Sequence, residues 1–433
     1  MRRGLRSKAL LVVGILAAYL QPVVLAEGTS WSNWRGPYHN GSSDTTHLPD
    51  TLTPDNAAWS YSLPGPAGST PAIYNGKLFL TSTESGSEKL IALCLDAADG
   101  TLLWQKTITQ GPEPRGRNTA ATPSPIVDDG RVYFLFGNGE FLALTHDGTE
   151  LWRRNLVDDY GPFSLLFGYG ASPLLFDGTL YVAVIRRGQV YGGRQPDEPL
   201  VSYLLAVDPA TGETLFYRQR PSDANDETTN SYITPVVAQV NDEPLIVLFG
   251  ADYLTTHDPA TGSERMRYQY DTSHNPRARN IPTPIADGHM LYVTLPRGTA
   301  AAGFDLTDSG APQRWRTESS GPDASTPVLY QGHFYMVNDR NKMMVCVEPS
   351  SGKVLWQGQL DQRGMHFASI TAADGKLYTV NEAGVVNVVA ADPAEFRLLS
   401  TTDFGQRPVH SSLALADSRV YLRTAETLYC FEN

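Results

Sequence analysis

The feature that most constrains this chain is a repeated unit, written most clearly over residues 324–360. It opens with Ala324-Ser325-Thr326-Pro327, runs through apolar residues to Tyr330 and turns at Gln331-Gly332. A second apolar run, Phe334 to Val337, ends in the polar Asn338-Asp339-Arg340-Asn341. A third, Met343 to Val347, leads into Glu348-Pro349-Ser350-Ser351-Gly352, and a fourth closes on Val354-Leu355-Trp356. Short β-type runs parted by turn residues read as four antiparallel strands. Four-stranded units recurring at this period are the signature of β-propeller blades.

The unit recurs from Ser69 to the end of the chain. Its first strand is announced by Thr70-Pro71, Ser124-Pro125, Ser172-Pro173, Thr234-Pro235, Thr283-Pro284 and Thr326-Pro327, and by the hydroxyl alone at Ser369 and Ser412. The turn after it is Asn75-Gly76, Asp129-Gly130, Asp177-Gly178, Asp287-Gly288 or Asp374-Gly375, dipeptides that tolerate positive φ in two-residue hairpins. The turn before the fourth strand carries Gly100, Gly212, Gly262 or Gly352, and a bulky side chain follows it. Those side chains are Trp104, Trp152, Phe216, Met266, Trp315 and Trp356. The last repeat has three strands and lacks its fourth. The stretch Ala57-Ala58-Trp59-Ser60-Tyr61-Ser62-Leu63 is an alternating strand with no partner of its own. Deficit and surplus match, so the expected architecture is an all-β, eight-bladed propeller of four-stranded antiparallel blades. Its last blade is closed by the N-terminal strand around Trp59, which removes the open edge.

Residues 1–26 read as a cleavable secretory signal: basic Arg2, Arg3, Arg6 and Lys8, an apolar run from Ala9 to Leu20, and a small-residue site at Val24-Leu25-Ala26. An uncleaved anchor is the competing reading. The expected location is periplasmic or secreted, with 27–433 as the propeller domain and no membrane span after cleavage. Without the four basic residues of that segment the net charge moves from −12 to about −16. That balance argues against a nucleic-acid partner, which wants a basic surface. Cys94, Cys346 and Cys430 each stand two residues before an acid in the third strand of a repeat. One blade position in three blades is too far apart for a disulfide, so three buried free thiols are expected. No Cys-x-x-Cys or His cluster suggests a metal site.

The Ala-x-Asp-x-x-Thr-Gly pattern of Ala206-Val207-Asp208-Pro209-Ala210-Thr211-Gly212, with its bulky residue four places on, resembles the tryptophan-docking motif of the pyrroloquinoline quinone (PQQ) propellers. Trp34-Arg35-Gly36 and Ala58-Trp59-Ser60-Tyr61-Ser62-Leu63-Pro64 resemble the N-terminal segment of the same superfamily. The resemblance covers nearly all of 27–433 and is greatest to exported, BamB-like repeat proteins without catalysis. It implies a protein-interaction or ligand-binding scaffold in the cell envelope, with no cofactor. The alternative it leaves is a PQQ-dependent alcohol or sugar dehydrogenase. That reading asks for two adjacent disulfide-linked cysteines and a Ca²⁺ held by Glu, Asn and Asp oxygens, neither of which can be assigned here.

Function is therefore sought where repeats differ. Residues just before each innermost strand rim the channel on one face. Arg115-Gly116-Arg117-Asn118 and Arg277-Ala278-Arg279-Asn280 share one signature there, and Arg363 with His366 and Arg407 with His410 share Gln-Arg-x-x-His. Basic groups collected at the mouth of an acidic protein are expected to bind an anionic small ligand or an acidic peptide of another envelope protein. The competing reading is that they are duplicated residues paired with nearby acids. An aromatic loop, Tyr160 to Tyr169, enters the third blade at the same face and could grip a ligand or pack over the channel.

Overall fold

In a computed structural model the described residues are 30–111, 117–190, 195–310, 312–317, 321–361 and 363–433. The expected signal segment lies outside them. Eight four-stranded sheets follow one another, strands paired antiparallel in chain order. Blades 1 to 7 span residues 72–110, 126–155, 174–219, 236–269, 285–316, 328–359 and 371–403. Blade 8 takes three strands from 414–431 and its fourth, Trp59–Ser62, from the N-terminus. That strand pairs with Thr427–Phe431, setting Trp59 opposite Cys430 and Ser62 opposite Thr427. The ring is thus closed by hydrogen bonds between the two ends of the chain.

The bulky residues dock each blade on the next. The indole N–H of Trp59 donates to the Ala97 carbonyl (3.3 Å), Trp104 to His146 (3.0 Å), Trp152 to Pro209 (2.9 Å), Trp315 to Pro349 (2.7 Å) and Trp356 to Asp392 (2.7 Å). Every acceptor lies in the turn before the fourth strand of the following blade. There the turn glycine lies on the ring: a Cβ at Gly212 would stand 2.7 Å from Trp152, and one at Gly352 2.5 Å from Trp315. Both glycines also hold positive φ, so two demands fix the same residue. Phe216 and Met266 fill the position by packing alone, and both are buried. The three thiols sit across the strand from docking indoles, Cys94 by Trp104, Cys346 by Trp356 and Cys430 by Trp59. All three are free and buried, and burial pushes each up to about 12.

Blade 7 departs from this pattern. Its docking position is Ser400, opposite Val388. Blade 8 has no turn there to receive an indole, because its fourth strand comes from elsewhere. The N-terminal arm fills the gap: the Ser400 hydroxyl donates to the Asp50 carbonyl (2.5 Å), and Leu48 and Leu52 are buried in the core beside it.

At the axis the Ser/Thr residues that announce the first strands form a closed circuit. The backbone N–H of Thr70 donates to the Ser124 hydroxyl (2.9 Å), Ser124 to Ser172 (2.9 Å), Ser172 to Thr234 (3.1 Å) and Thr234 to Thr283 (3.0 Å). Thr283 donates to Thr326 (3.0 Å), Thr326 to Ser369 (3.1 Å), Ser369 to Ser412 (2.9 Å), and Ser412 back to Thr70 (3.2 Å). Each hydroxyl thereby satisfies an N–H that no strand ladder reaches.

Three of the buried arginines among the described residues tie one part of the ring to another through carbonyls and hydroxyls rather than acids. Arg423 of blade 8 reaches the Ser69 hydroxyl (2.8 Å) and the Thr81 carbonyl (2.6 Å) of blade 1. Arg220, after blade 3, reaches the Thr255 hydroxyl (2.9 Å) and the Tyr253 carbonyl (2.6 Å) of blade 4. Arg35 of the arm reaches the carbonyls of Ile370 (3.1 Å), Asn40 (2.9 Å) and Pro327. Burial lowers Arg423 and Arg35 to about 9 and Arg220 to about 10, leaving all three charged at neutral pH.

Candidate functional site

The two ends of the central channel differ. The arm crosses one end. Trp31 is fully buried and exchanges backbone hydrogen bonds with Ile73 (3.0 and 2.8 Å), Ser32 accepts from Val127 (2.9 Å), and Ser43 donates to Ala372 (3.0 Å). These contacts tie the arm to blades 1, 2 and 7, and Arg35 adds blade 6. Trp34 reaches up toward the hydroxyl circuit and forms part of its floor.

Above that floor lies a cup of about 180 Å³. Six circuit residues, Ser124, Ser172, Thr234, Thr326, Ser369 and Ser412, line its base. Its walls are Phe167, Phe367, Tyr232 and Ile281, with Arg117, Asn118, Arg279 and His410 at the rim. The rim groups fall into two clusters. On the side of blades 2, 7 and 8, Arg117 Nε donates to Glu382 Oε1 (3.1 Å) and its guanidinium lies over the Phe367 ring (4.4 Å). His410 Nε2 stands 3.4 Å from the same Glu382 oxygen and meets Phe367 edge-on. On the side of blades 3 to 6, Arg279 pairs with Glu227 (2.7 Å) and Asp323 (3.3 Å) and lies over Phe167 (5.4 Å). Arg297 shares Glu227 (2.7 Å). Burial, and after it the Arg117 charge, hold His410 below its ordinary range, against the pull of Glu382.

Of the rim residues expected from sequence, Arg117, Asn118, Arg279 and His410 come together here. Arg115 lies outside the described residues. The others do not join the cup. His366 is fully buried, with no hydrogen-bond partner on either ring nitrogen among the described residues, and burial followed by the Lys342 charge pushes it down to about 3. Its loop turns the neighbouring Phe367 to the channel instead. Asn280 is buried as well, with Oδ1 accepting from the Tyr270 hydroxyl (2.6 Å), so it braces the loop. Arg277 is exposed, and its carbonyl accepts from Arg297 Nε (2.6 Å). Arg363 pairs with Asp361 (3.0 Å) and Asp403 (2.5 Å), and with Arg407 lines a separate hollow that shares only Glu382 with the rim clusters. The expected concentration of positive charge is also corrected. Glu382, Glu227 and Asp323 partner the rim arginines, so the mouth holds exchangeable ion pairs rather than a bare basic patch.

Sequence reasoning missed Phe367, Tyr232 and the three acids. It also read the eight hydroxyls as strand markers only. Their recurrence in phase at every repeat was the available signal, since one position on eight innermost strands must form a ring. In the aromatic loop, Phe163 and Tyr169 are buried and Phe167 faces the cup.

A family model described as outer membrane protein assembly factor BamB matches residues 54–190, 171–358 and 303–399. The outer membrane protein assembly factor BamB of Yersinia pestis is 26% identical over 308 residues, covering 70% of this chain and 67% of that protein. Among solved structures, BamB from Moraxella catarrhalis superposes with a TM-score of 0.63 at 16% identity, over 88% of this chain and 100% of that one. A europium-containing methanol dehydrogenase superposes with a TM-score of 0.72 at 12% identity, over 94% and 99%. The quinohemoprotein alcohol dehydrogenase of Comamonas testosteroni gives 0.66 at 13%, over 94% and 80%. At such identities the structural likeness speaks for the fold alone. The family match spans most of the ring, the blades carry its docking tryptophans, and the chain belongs to the PQQ-like repeat β-propeller family that includes BamB.

Proposed function

We propose that this protein is an exported, non-catalytic scaffold of the cell envelope that engages other proteins through the open face of its ring. The family match to an outer membrane protein assembly factor across 54–399 carries this reading. Among the described residues no helix is long and apolar enough to cross a membrane. The loops of the open face hold paired charges and aromatic rings, a composition suited to protein contacts.

The dehydrogenase alternative asks the same channel to hold PQQ with a metal ion, and three features weigh against that choice. Among the described residues no group of three His, Cys, Asp or Glu side chains is placed to hold a metal. The thiols are in the blades, opposite docking indoles, rather than paired at the cup. A cup of about 180 Å³ takes one ring with its substituents, and a three-ring quinone would need its walls to move.

Cross-linking in the native envelope followed by pull-down tests the scaffold reading. Recovery of outer membrane assembly proteins in defined stoichiometry is expected. Dye reduction with alcohols or sugars after addition of PQQ and Ca²⁺ would overturn it.

A further inference from the structure

We propose that the cup binds a carboxylate borne on a single ring or a similarly small apolar group, with Arg117 taking the carboxylate and His410, beside Glu382, taking up a proton as it does so. This site stands on the cup's own geometry and does not depend on the scaffold reading.

The cup is rich in donors that the protein does not use. All eight hydroxyls of the axial circuit accept a hydrogen bond, and none donates one to the described residues. Their O–H groups are therefore available to an acceptor, and six of them face the cup. At the rim, Arg117 uses only Nε, toward Glu382, and its terminal nitrogens make no hydrogen bond to the described residues. A half-exposed guanidinium with its fork unused suits a carboxylate. Arg279 is already held by two acids, which leaves Arg117 as the arginine with donors to spare.

Size selects the rest of the ligand. A cavity of about 150 Å³ lined by apolar side chains takes benzene; the cup has about 180 Å³ between Phe167, Phe367, Tyr232 and Ile281. One ring with a carboxylate fills it.

Proton coupling follows from a shared atom. Glu382 Oε1 faces both Arg117 and His410. The other charged groups around Glu382 are Arg363 and Arg407, with Asp403 and Asp361 as counter-charges to Arg363. A ligand carboxylate on the free fork of Arg117 brings a second anion close to Glu382 Oε1 and His410, and its charge offsets the Arg117 charge that holds His410 down. The added negative charge favours a proton on His410, so affinity rises as pH falls.

The test is calorimetric titration of the full chain with benzoate at pH 7.5, 6.5 and 5.5, where benzoate stays ionised, with benzamide as the neutral control. Benzoate is expected to bind more tightly at each step down in pH, and benzamide at least about tenfold more weakly. Arg117→Ala should lose at least about tenfold in benzoate affinity. Glu382→Gln should bind benzoate more tightly at pH 7.5 and show a flatter pH profile. Equal binding of benzamide, unchanged affinity in Arg117→Ala, or a flat wild-type pH profile overturns the proposal. A second arm uses an acetylated, amidated Gly-Gly-Glu peptide. Preference for benzoate assigns the carboxylate to a small acid, preference for the peptide assigns it to a protein side chain, and binding of neither overturns the site.

Discussion

The two ends of the channel set arginines in opposite surroundings. At the closed end Arg35 is buried and held by three carbonyls, with no acid among its partners in the described residues. At the open end Arg117 and Arg279 are held by carboxylates and lie over phenyl rings. A guanidinium fixed by main-chain carbonyls cannot leave without orphaning them, whereas one paired with a carboxylate can trade it for another anion. The closed end is thus built to hold the ring, and the open end to exchange partners.

That contrast is broken most directly by truncating both arginines. Arg35→Ala should destabilise by about 3 kcal/mol or more, because several buried carbonyls lose their donor at once. Arg117→Ala should stay within about 0.5 kcal/mol, since a half-exposed ion pair contributes little. Chemical denaturation of the two variants reads the difference. Equal losses would mean that the two ends are not distinct in kind.

The hydroxyl circuit lies between the ends, and one of its members tests it. Ser172→Ala should cost about 1–3 kcal/mol by leaving the Ser124 N–H without its acceptor. Thr substituted at the same place should restore most of that stability. The melting temperatures of the two variants decide whether the hydroxyl or the packing matters.

Asp339 sharpens the comparison through pH. Its carboxylate accepts from the N–H groups of Asp323 (2.7 Å) and Ala324 (3.0 Å), at the threshold of the cup, and burial raises it to about 7. An acid raised on folding favours the fold while it is protonated. Its contribution is therefore present below the ordinary carboxylate range of about 4 and is lost as pH rises toward 7. Asp339→Asn keeps the acceptor and removes the titration. It should melt higher than the wild type at pH 8, and the gap should shrink by pH 5. A gap that stays constant with pH would place the carboxylate in contact with solvent.

The parts of this molecule legible in its sequence are those that the repeat writes many times. Trp59 was readable as the missing strand because seven other blades defined what was missing. The glycines and indoles declared their docking in the same way. Ser400 was not legible, because it is the one docking position that meets the arm rather than another turn. The rim was half legible. Arg117 and Arg279 are local signatures, but the acids that answer them come from other blades, with Glu382 265 residues from Arg117. No repeat register links those positions, so their pairing emerges only from the closed ring. His366 misled for a related reason: it matches His410 in sequence, yet a single turn of its loop exchanges it for Phe367.

The most direct test of the central claim compares the two faces inside the envelope. A photo-activated cross-linking residue at Phe367, in the cup, and another at Tyr38, exposed on the arm, would each be irradiated in living cells. Discrete adducts with envelope proteins from position 367 and none from position 38 are the expected result. Adducts from position 38 alone would place the working surface on the face assigned here to closing the ring.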